Sequence, residues 1–208
     1  MTTWNDVLQT LPLVAILRGL TPDESVEVGE ALVAAGFRCL EVPLNSPSPL
    51  DSIRRLRQAL GERAIVGAGT VLSAGAVREV ASAGGQIIIS PNTNPAVIAE
   101  TKAAGLISFP AFFTPSEAFT AIDAGADALK LFPADTAGPA TLRAMKAVLP
   151  PATPVFPVGG VEPGNVAAWR TAGADGFGLG SGLYKPGRSV AEVRAVADAF
   201  VAAWLAVV

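Results

Sequence analysis

The sequence contains no histidine, one cysteine and one tyrosine, and aromatic residues make up only 6% of its 208 residues. Without histidine, the side chain that titrates nearest neutral pH and the commonest metal ligand are both missing. Acid–base chemistry in this chain falls to carboxylates, lysine, hydroxyls and backbone groups. The lone Cys39 has no intramolecular disulfide partner, which fits a reducing cytoplasm. Nor does it have a histidine to activate it, so it reads as a small core residue rather than a nucleophile. No apolar run approaches the ~20 residues that span a bilayer, and the N-terminus lacks a basic segment followed by a signal-like apolar core. Charge is scarce too: charged residues are 16% of the chain and the net charge is −3, which offers no basic field for nucleic acid.

What is present is apolar: 50% of the residues are hydrophobic, enough to exclude disorder and to fill one large core. An Ala-Gly pair recurs at Ala35-Gly36, Ala83-Gly84, Ala104-Gly105, Ala124-Gly125 and Ala172-Gly173. Glycine there suits the left-handed residue that ends a helix, and the spacing gives a period of about 20–24 residues with two copies degenerate. Each unit reads as a short apolar strand followed by an amphipathic helix. The strands fall at 12–18, 38–44, 64–70, 86–90, 106–110, 128–132, 154–158 and 176–180. Helices follow near 22–35, 48–60, 73–83, 94–104, 115–124, 138–149, 163–172 and 190–206. Thr21-Pro22-Asp23-Glu24, Ser73 and Thr114-Pro115-Ser116-Glu117 supply helix starts. Eight such units predict a single (β/α)8 TIM-barrel domain over residues 1–208, with an open doubly wound sheet as the runner-up.

Three charged residues sit on predicted strands near their C-terminal ends: Arg18, Glu41 and Lys130. Active sites of this barrel class lie at those ends. Strand alternation puts Leu40, Val42 and Leu44 toward the helices and Glu41 into the barrel. It likewise points Lys130 inward between Leu129 and Leu131, and Arg18 inward with Val14 and Ile16. An ammonium in a short apolar strand loses its hydration, so it finds a partner or sheds its proton. A desolvated lysine with a depressed pKa suits amine attack on a ketone. An interior Glu–Lys pair can equally be a satisfied polar core, and alternation alone leaves both readings open.

Three strand ends are glycine-rich: Gly67-Ala68-Gly69-Thr70, Val158-Gly159-Gly160-Val161 and Gly178-Leu179-Gly180-Ser181-Gly182. Glycines let backbone N–H groups approach an anion, aided by a following helix N-terminus. Phosphate sites after strands seven and eight recur in this barrel class. Tight turning is the other reading of a Gly-Gly pair. Ser181 adds a hydroxyl, and Thr70 shares the parity of Val66 and Ala68. Trp4, Trp169 and Trp204 read as packing or interface residues.

Leu13-Val14-Ala15-Ile16-Leu17-Arg18-Gly19, Leu40-Glu41-Val42-Pro43-Leu44-Asn45-Ser46, Gly67-Ala68-Gly69-Thr70-Val71, Ser90-Pro91-Asn92 and Leu129-Lys130-Leu131-Phe132-Pro133-Ala134 together resemble the 2-keto-3-deoxy-6-phosphogluconate/galactonate aldolase family. Val158-Gly159-Gly160-Val161 and Gly178-Leu179-Gly180-Ser181 extend the resemblance to nearly the whole chain. It implies a metal-independent class I aldolase without cofactor, acting on a phosphorylated keto-deoxy sugar acid. Lys130 would form the Schiff base and Glu41 would be the acid–base. Arg18 and Thr70 would contact the pyruvyl end, and Gly159, Gly160, Gly180 and Ser181 the distal phosphate. Family members are usually trimers, so a cytoplasmic homotrimer is expected. The gluconate branch typically carries Glu-Val-Thr-Leu-Arg-Thr after strand two. Pro43, Asn45 and Val158 resemble the galactonate branch instead, so the expected substrate is 2-dehydro-3-deoxy-6-phosphogalactonate. The gluconate-configured acid is the alternative, and a phosphate-barrel epimerase or isomerase is a second. Ala111 stands where relatives often carry glycine, which predicts a reshaped loop after strand five.

Overall fold

The computed structural model describes residues 2–207. In chain order the elements are α1 (Trp4–Thr10), β1 (Leu13–Ile16), α2 (Pro22–Ala35), β2 (Cys39–Pro43), α3 (Pro49–Leu60) and β3 (Ile65–Gly69). Then come α4 (Ala74–Ser82), β4 (Ile87–Ile89), α5 (Pro95–Ala103), β5 (Ile107–Phe109), β6 (Ala111–Phe112) and α6 (Pro115–Asp123). The last elements are β7 (Leu129–Leu131), α7 (Ala134–Lys146), β8 (Val155–Pro157), α8 (Val166–Thr171), β9 (Phe177–Leu179) and α9 (Val190–Leu205).

Local chemistry explains most boundaries. Thr114 and Ser189 accept from the N3 amide of α6 and α9 while Glu117 and Glu192 reach back, closing capping boxes. Pro22, Pro95 and Pro115 fill first turns where their missing N–H is not needed. The five glycines of the Ala-Gly pairs all take positive φ, between 70° and 113°, and end their helices as the repeat predicts.

Several elements depart from expectation: β1 stops at Ile16, which leaves Arg18 in the turn beyond the strand, and α8 starts at Val166 after a 3-10 turn over Pro163–Asn165. Helix α1 was not foreseen, although Thr3 and Asp6 form its capping box. Helix α7 begins at Ala134 rather than 138, and is interrupted where Gly138 takes φ 75° and ψ 164°. Strand five is split: Pro110 has no N–H to give the ladder, so Ala111–Phe112 pairs separately, with Ala111 opposite Lys130.

All strand pairings are parallel. Six strands form one curled sheet in the order β5-β4-β3-β2-β1-β9, and three form a second, β6-β7-β8. A single bridge, Val158 to Gly178, joins β8 to β9. Helices alternate with strands. Alternation sorts side chains as expected: Leu13, Leu40, Val42, Leu129 and Leu131 belong to the cluster packed with the helices. The opposite face gathers Val7, Val14, Cys39, Ile65, Ile87, Ile89, Phe109, Ala128 and Phe156 into a second, enclosed cluster. Trp4 stacks on Phe156 at 5.9 Å there, and Trp169 and Trp204 are buried among the helices. Cys39 is fully buried, as a core residue should be. Among the described residues no helix is long and apolar enough to cross a membrane.

Candidate active site

Just above that enclosed cluster the interior turns polar. Glu41 follows Cys39 by two residues on β2, so both point to the same face. Lys130 follows Ala128 in the same way. Glu41 is 1% exposed and Lys130 7%. Among the described residues they form no ion pair or hydrogen bond with each other, and the Glu41 Oε2 atom is buried without any partner. Burial is therefore the leading influence on both groups. It raises the Glu41 carboxyl to about 7, against opposing pulls from Lys130 and Arg18. It lowers the Lys130 amine below the usual lysine range, with Glu41 pulling back up and Arg18 adding to the depression. The Lys130 Nζ sits 4.8 Å from the centre of the Phe132 ring. An acid poised near neutrality beside an amine of lowered basicity suits proton transfer and nucleophilic attack.

Glycine at position 69 makes room for the acid. A Cβ there would lie 1.9 Å from Glu41 Oε2. On sequence the β3 glycine run offers an anion approach; at Gly69 the structure gives it the different task of accommodating the Glu41 carboxyl. Thr70 ends that strand with φ 56°, a left-handed conformation that is an outlier for a β-branched residue. Its parity would send it outward with Val66 and Ala68, which pack in the helix-facing cluster. The left-handed turn breaks the alternation there.

Lys130 lines a cavity of about 320 Å³. Arg18, Gly159, Gly160, Gly180 and Ser181 share its wall, so six of the eight expected site residues meet in one space. Glu41 and Thr70 are not part of that wall, although Glu41 lies close enough to Lys130 and Arg18 for each to pull on its titration. Gly159 and Gly160 both adopt positive φ, 108° and 67°, and a Cβ on Gly160 would come within 2.7 Å of Asp135. Gly180 faces open space, with nothing within 4 Å of a Cβ placed on it. A helix dipole contributes less than expected: only the short α8 follows Gly160, and α9 starts at Val190, well beyond Ser181. That part of the wall presents backbone groups, the Ser181 hydroxyl and Lys185.

The structure gives Asn45 and Ala111 contacts and adds Ser46, Asn165 and Pro186, which the sequence does not single out. Asn45 Oδ1 accepts from Arg18 Nη1 at 3.0 Å, and Ser46 Oγ accepts from the Gly19 amide at 2.9 Å. Asn165 donates to the Gly160 carbonyl at 2.8 Å and so braces the glycine loop. Pro186, also on the cavity wall, packs so near Gly19 that a Cβ there would meet its ring at 2.6 Å. Ala111, the departure after strand five, accepts from Thr93 Oγ1 at 2.8 Å.

A larger cavity, about 440 Å³, opens at the opposite strand ends among Thr10, Pro154, Arg170, Asp175 and Trp204. Its charged groups are mostly engaged, although the buried Arg170 Nε has no hydrogen-bond partner. Asp175 accepts from Lys146 Nζ and the Val155 amide, each at 2.8 Å, and the Arg170 guanidinium lies 4.5 Å from the Trp204 ring. Size does not locate the chemistry here; the buried Glu41 and Lys130, both shifted by burial, do.

Comparison with known proteins places the chain among aldolases. The chain is 48% identical to the 2-dehydro-3-deoxy-6-phosphogalactonate aldolase of Escherichia coli (strain K12), over 93% of this chain and 95% of that protein. It is 46% identical to a probable aldolase of the same description from Rhizobium meliloti (strain 1021), over 94% and 92% of the two chains. A solved structure described as native KDPGal superposes with a TM-score of 0.94 at 47% identity, covering 96% of this chain and 97% of that one. The model of the KDPG and KHG aldolase family matches residues 4–196. On that match and those identities, the chain belongs to the KDPG and KHG aldolase family.

Proposed function

We propose that this chain is a class I aldolase that cleaves 2-dehydro-3-deoxy-6-phosphogalactonate into pyruvate and glyceraldehyde 3-phosphate. The observation that carries the proposal is a buried lysine, lowered in basicity, on the wall of a cavity beside an unpaired buried glutamate. The names of the similar proteins and Asn45 and Val158, which resemble the galactonate branch, support the choice of substrate.

The neutral Lys130 Nζ attacks the C2 ketone, and the carbinolamine loses water to give an iminium. The Glu41 carboxylate, directly or through one water, takes the proton of the C4 hydroxyl. The C3–C4 bond breaks, its electrons pass to the iminium as an enamine, and the aldehyde leaves. Protonated Glu41 then returns the proton to C3, and water hydrolyses the pyruvyl iminium to free pyruvate and Lys130. The iminium is the electron sink, so the mechanism calls for no metal or cofactor. Arg18 and Thr70 hold the carboxylate end. Gly159, Gly160, Gly180 and Ser181 hold the phosphate, remote binding that orients the reacting bond.

The same reading extends to the assembly. β5 and β6 are one strand interrupted at Pro110, and the Val158–Gly178 bridge is the seam of a closed (β/α)8 barrel. The described residues form one domain, working in the cytoplasm as a homotrimer. Leu72, Phe113 and Phe119 leave apolar surface that a subunit contact would cover.

Side-by-side cleavage of the galacto- and gluco-configured phosphorylated acids, with pyruvate detected, tests the substrate. A higher kcat/KM for the galacto acid is expected. Preference for the gluco acid would reassign the substrate, and release of no pyruvate from either would return the epimerase reading.

A further inference from the structure

Arg18 is exposed, lines the cavity, and has no carboxylate within ion-pair distance among the described residues. Its backbone is tightly held all the same. The neighbouring Gly19 is gripped on one side by the Ser46 hydroxyl at 2.9 Å and on the other by the Pro186 ring. The remaining freedom is the swing of the long side chain, and one contact limits it: Nη1 donates to Asn45 Oδ1 at 3.0 Å.

We propose that Asn45 is a positioning residue that holds the Arg18 guanidinium over the cavity and thereby sets affinity for the carboxylate of the keto acid. The chemistry of the amide suits that task. A guanidinium has five N–H donors, and binding one of them to a neutral oxygen leaves the others, with the full positive charge, for a bidentate carboxylate. An aspartate at position 45 would orient the fork equally well while cancelling its charge. This inference rests on Arg18 being the carboxylate anchor, as proposed above, and the test separates the two.

Steady-state kinetics of Asn45→Ala, Asn45→Asp, Arg18→Ala and the Arg18→Ala/Asn45→Ala pair form the experiment, each variant checked by thermal melting. Asn45→Ala should raise KM for the sugar acid about tenfold, the scale of one charge-assisted hydrogen bond, with kcat nearly unchanged. Asn45→Asp should raise it further. In the Arg18→Ala background, Asn45→Ala should add nothing, because its effect passes through Arg18. An unchanged KM in Asn45→Ala, a better KM in Asn45→Asp, or additive effects in the double variant would overturn the positioning role. If Arg18→Ala alone leaves KM unchanged, the carboxylate anchor is lost, and with it anything for Asn45 to position.

Discussion

The interior has two halves built on opposite terms. In one half Trp4, Phe109, Phe156, Val14 and Cys39 pack together as an apolar cluster, with Phe109 and Phe156 edge-on at 5.1 Å. Two residues beyond Cys39 on β2 and Ala128 on β7, Glu41 and Lys130 are also buried, and among the described residues they form no ion pair with each other. The first half is what a core should be: each large side chain there contributes about 1.5–3 kcal/mol. The second half spends part of that stability on keeping an acid and an amine out of water. A residue that stability alone would remove, held in place by a glycine that yields it room, is a residue kept for chemistry.

Substitutions should separate the halves cleanly. Lys130→Met should reduce cleavage to the uncatalysed background while leaving the melting temperature equal or higher, since the depressed amine disfavours its own charged form. A loss of both activity and stability would instead make Lys130 part of a structural pair.

Glu41→Gln is the next largest. Turnover should fall by about 10²–10⁴-fold, with imine formation from pyruvate preserved. Its stability effect has a definite sign. The carboxyl titrates at 4.5 when unfolded and about 7 when folded, so the protonated form favours the fold. That contribution is complete below pH 4.5 and is lost as pH rises through 7, a difference of roughly 3 kcal/mol at 1.36 kcal/mol per pH unit. The glutamine variant should therefore match the parent near pH 4 and become progressively more stable toward pH 8. Cleavage by the parent needs the carboxylate, so kcat/KM should climb through about pH 7, and this limb should vanish in the variant. A parent limb near 4 would mean that Glu41 is less desolvated than its burial implies.

Phe156→Ala, in the apolar half, should do the reverse: a loss of about 3–5 kcal/mol in unfolding free energy, read by denaturant titration, with KM held. The smallest effect sharpens the cradle. Gly180→Ala meets open space, so melting should hardly move while the added methyl raises KM for phosphorylated substrate. Gly160→Ala, strained by its φ and by Asp135, should lower both stability and affinity.

Much of this was legible before any coordinates. Strand alternation placed Glu41 and Lys130 on one face because each is flanked by apolar residues of opposite parity, a pattern that survives without tertiary information. The glycines at 159, 160 and 180 were legible for a similar reason: few other roles bring glycines to consecutive strand ends. What the sequence does not carry depends on through-space contacts. The turn at Thr70 overrides parity by a single backbone angle. Gly69 is small because of a carboxyl 28 positions away in sequence, on the neighbouring strand. Asn45 meets Arg18 only because β1 and β2 pair in the register Ile16 to Glu41, which carries the two loops side by side. Helix α1 is a different case: Thr3 and Asp6 signal its start, but the helix is only seven residues long and periodicity is weak over that span.

The central claim is that Lys130 is the amine that bonds to the ketone. Borohydride reduction of the intact protein in the presence of pyruvate, followed by peptide mass mapping, tests it most directly. A reduced pyruvyl adduct on the peptide carrying Lys130, with loss of activity in proportion, is the predicted result. An unmodified Lys130 in protein that still turns over, or an adduct on another lysine, would contradict it.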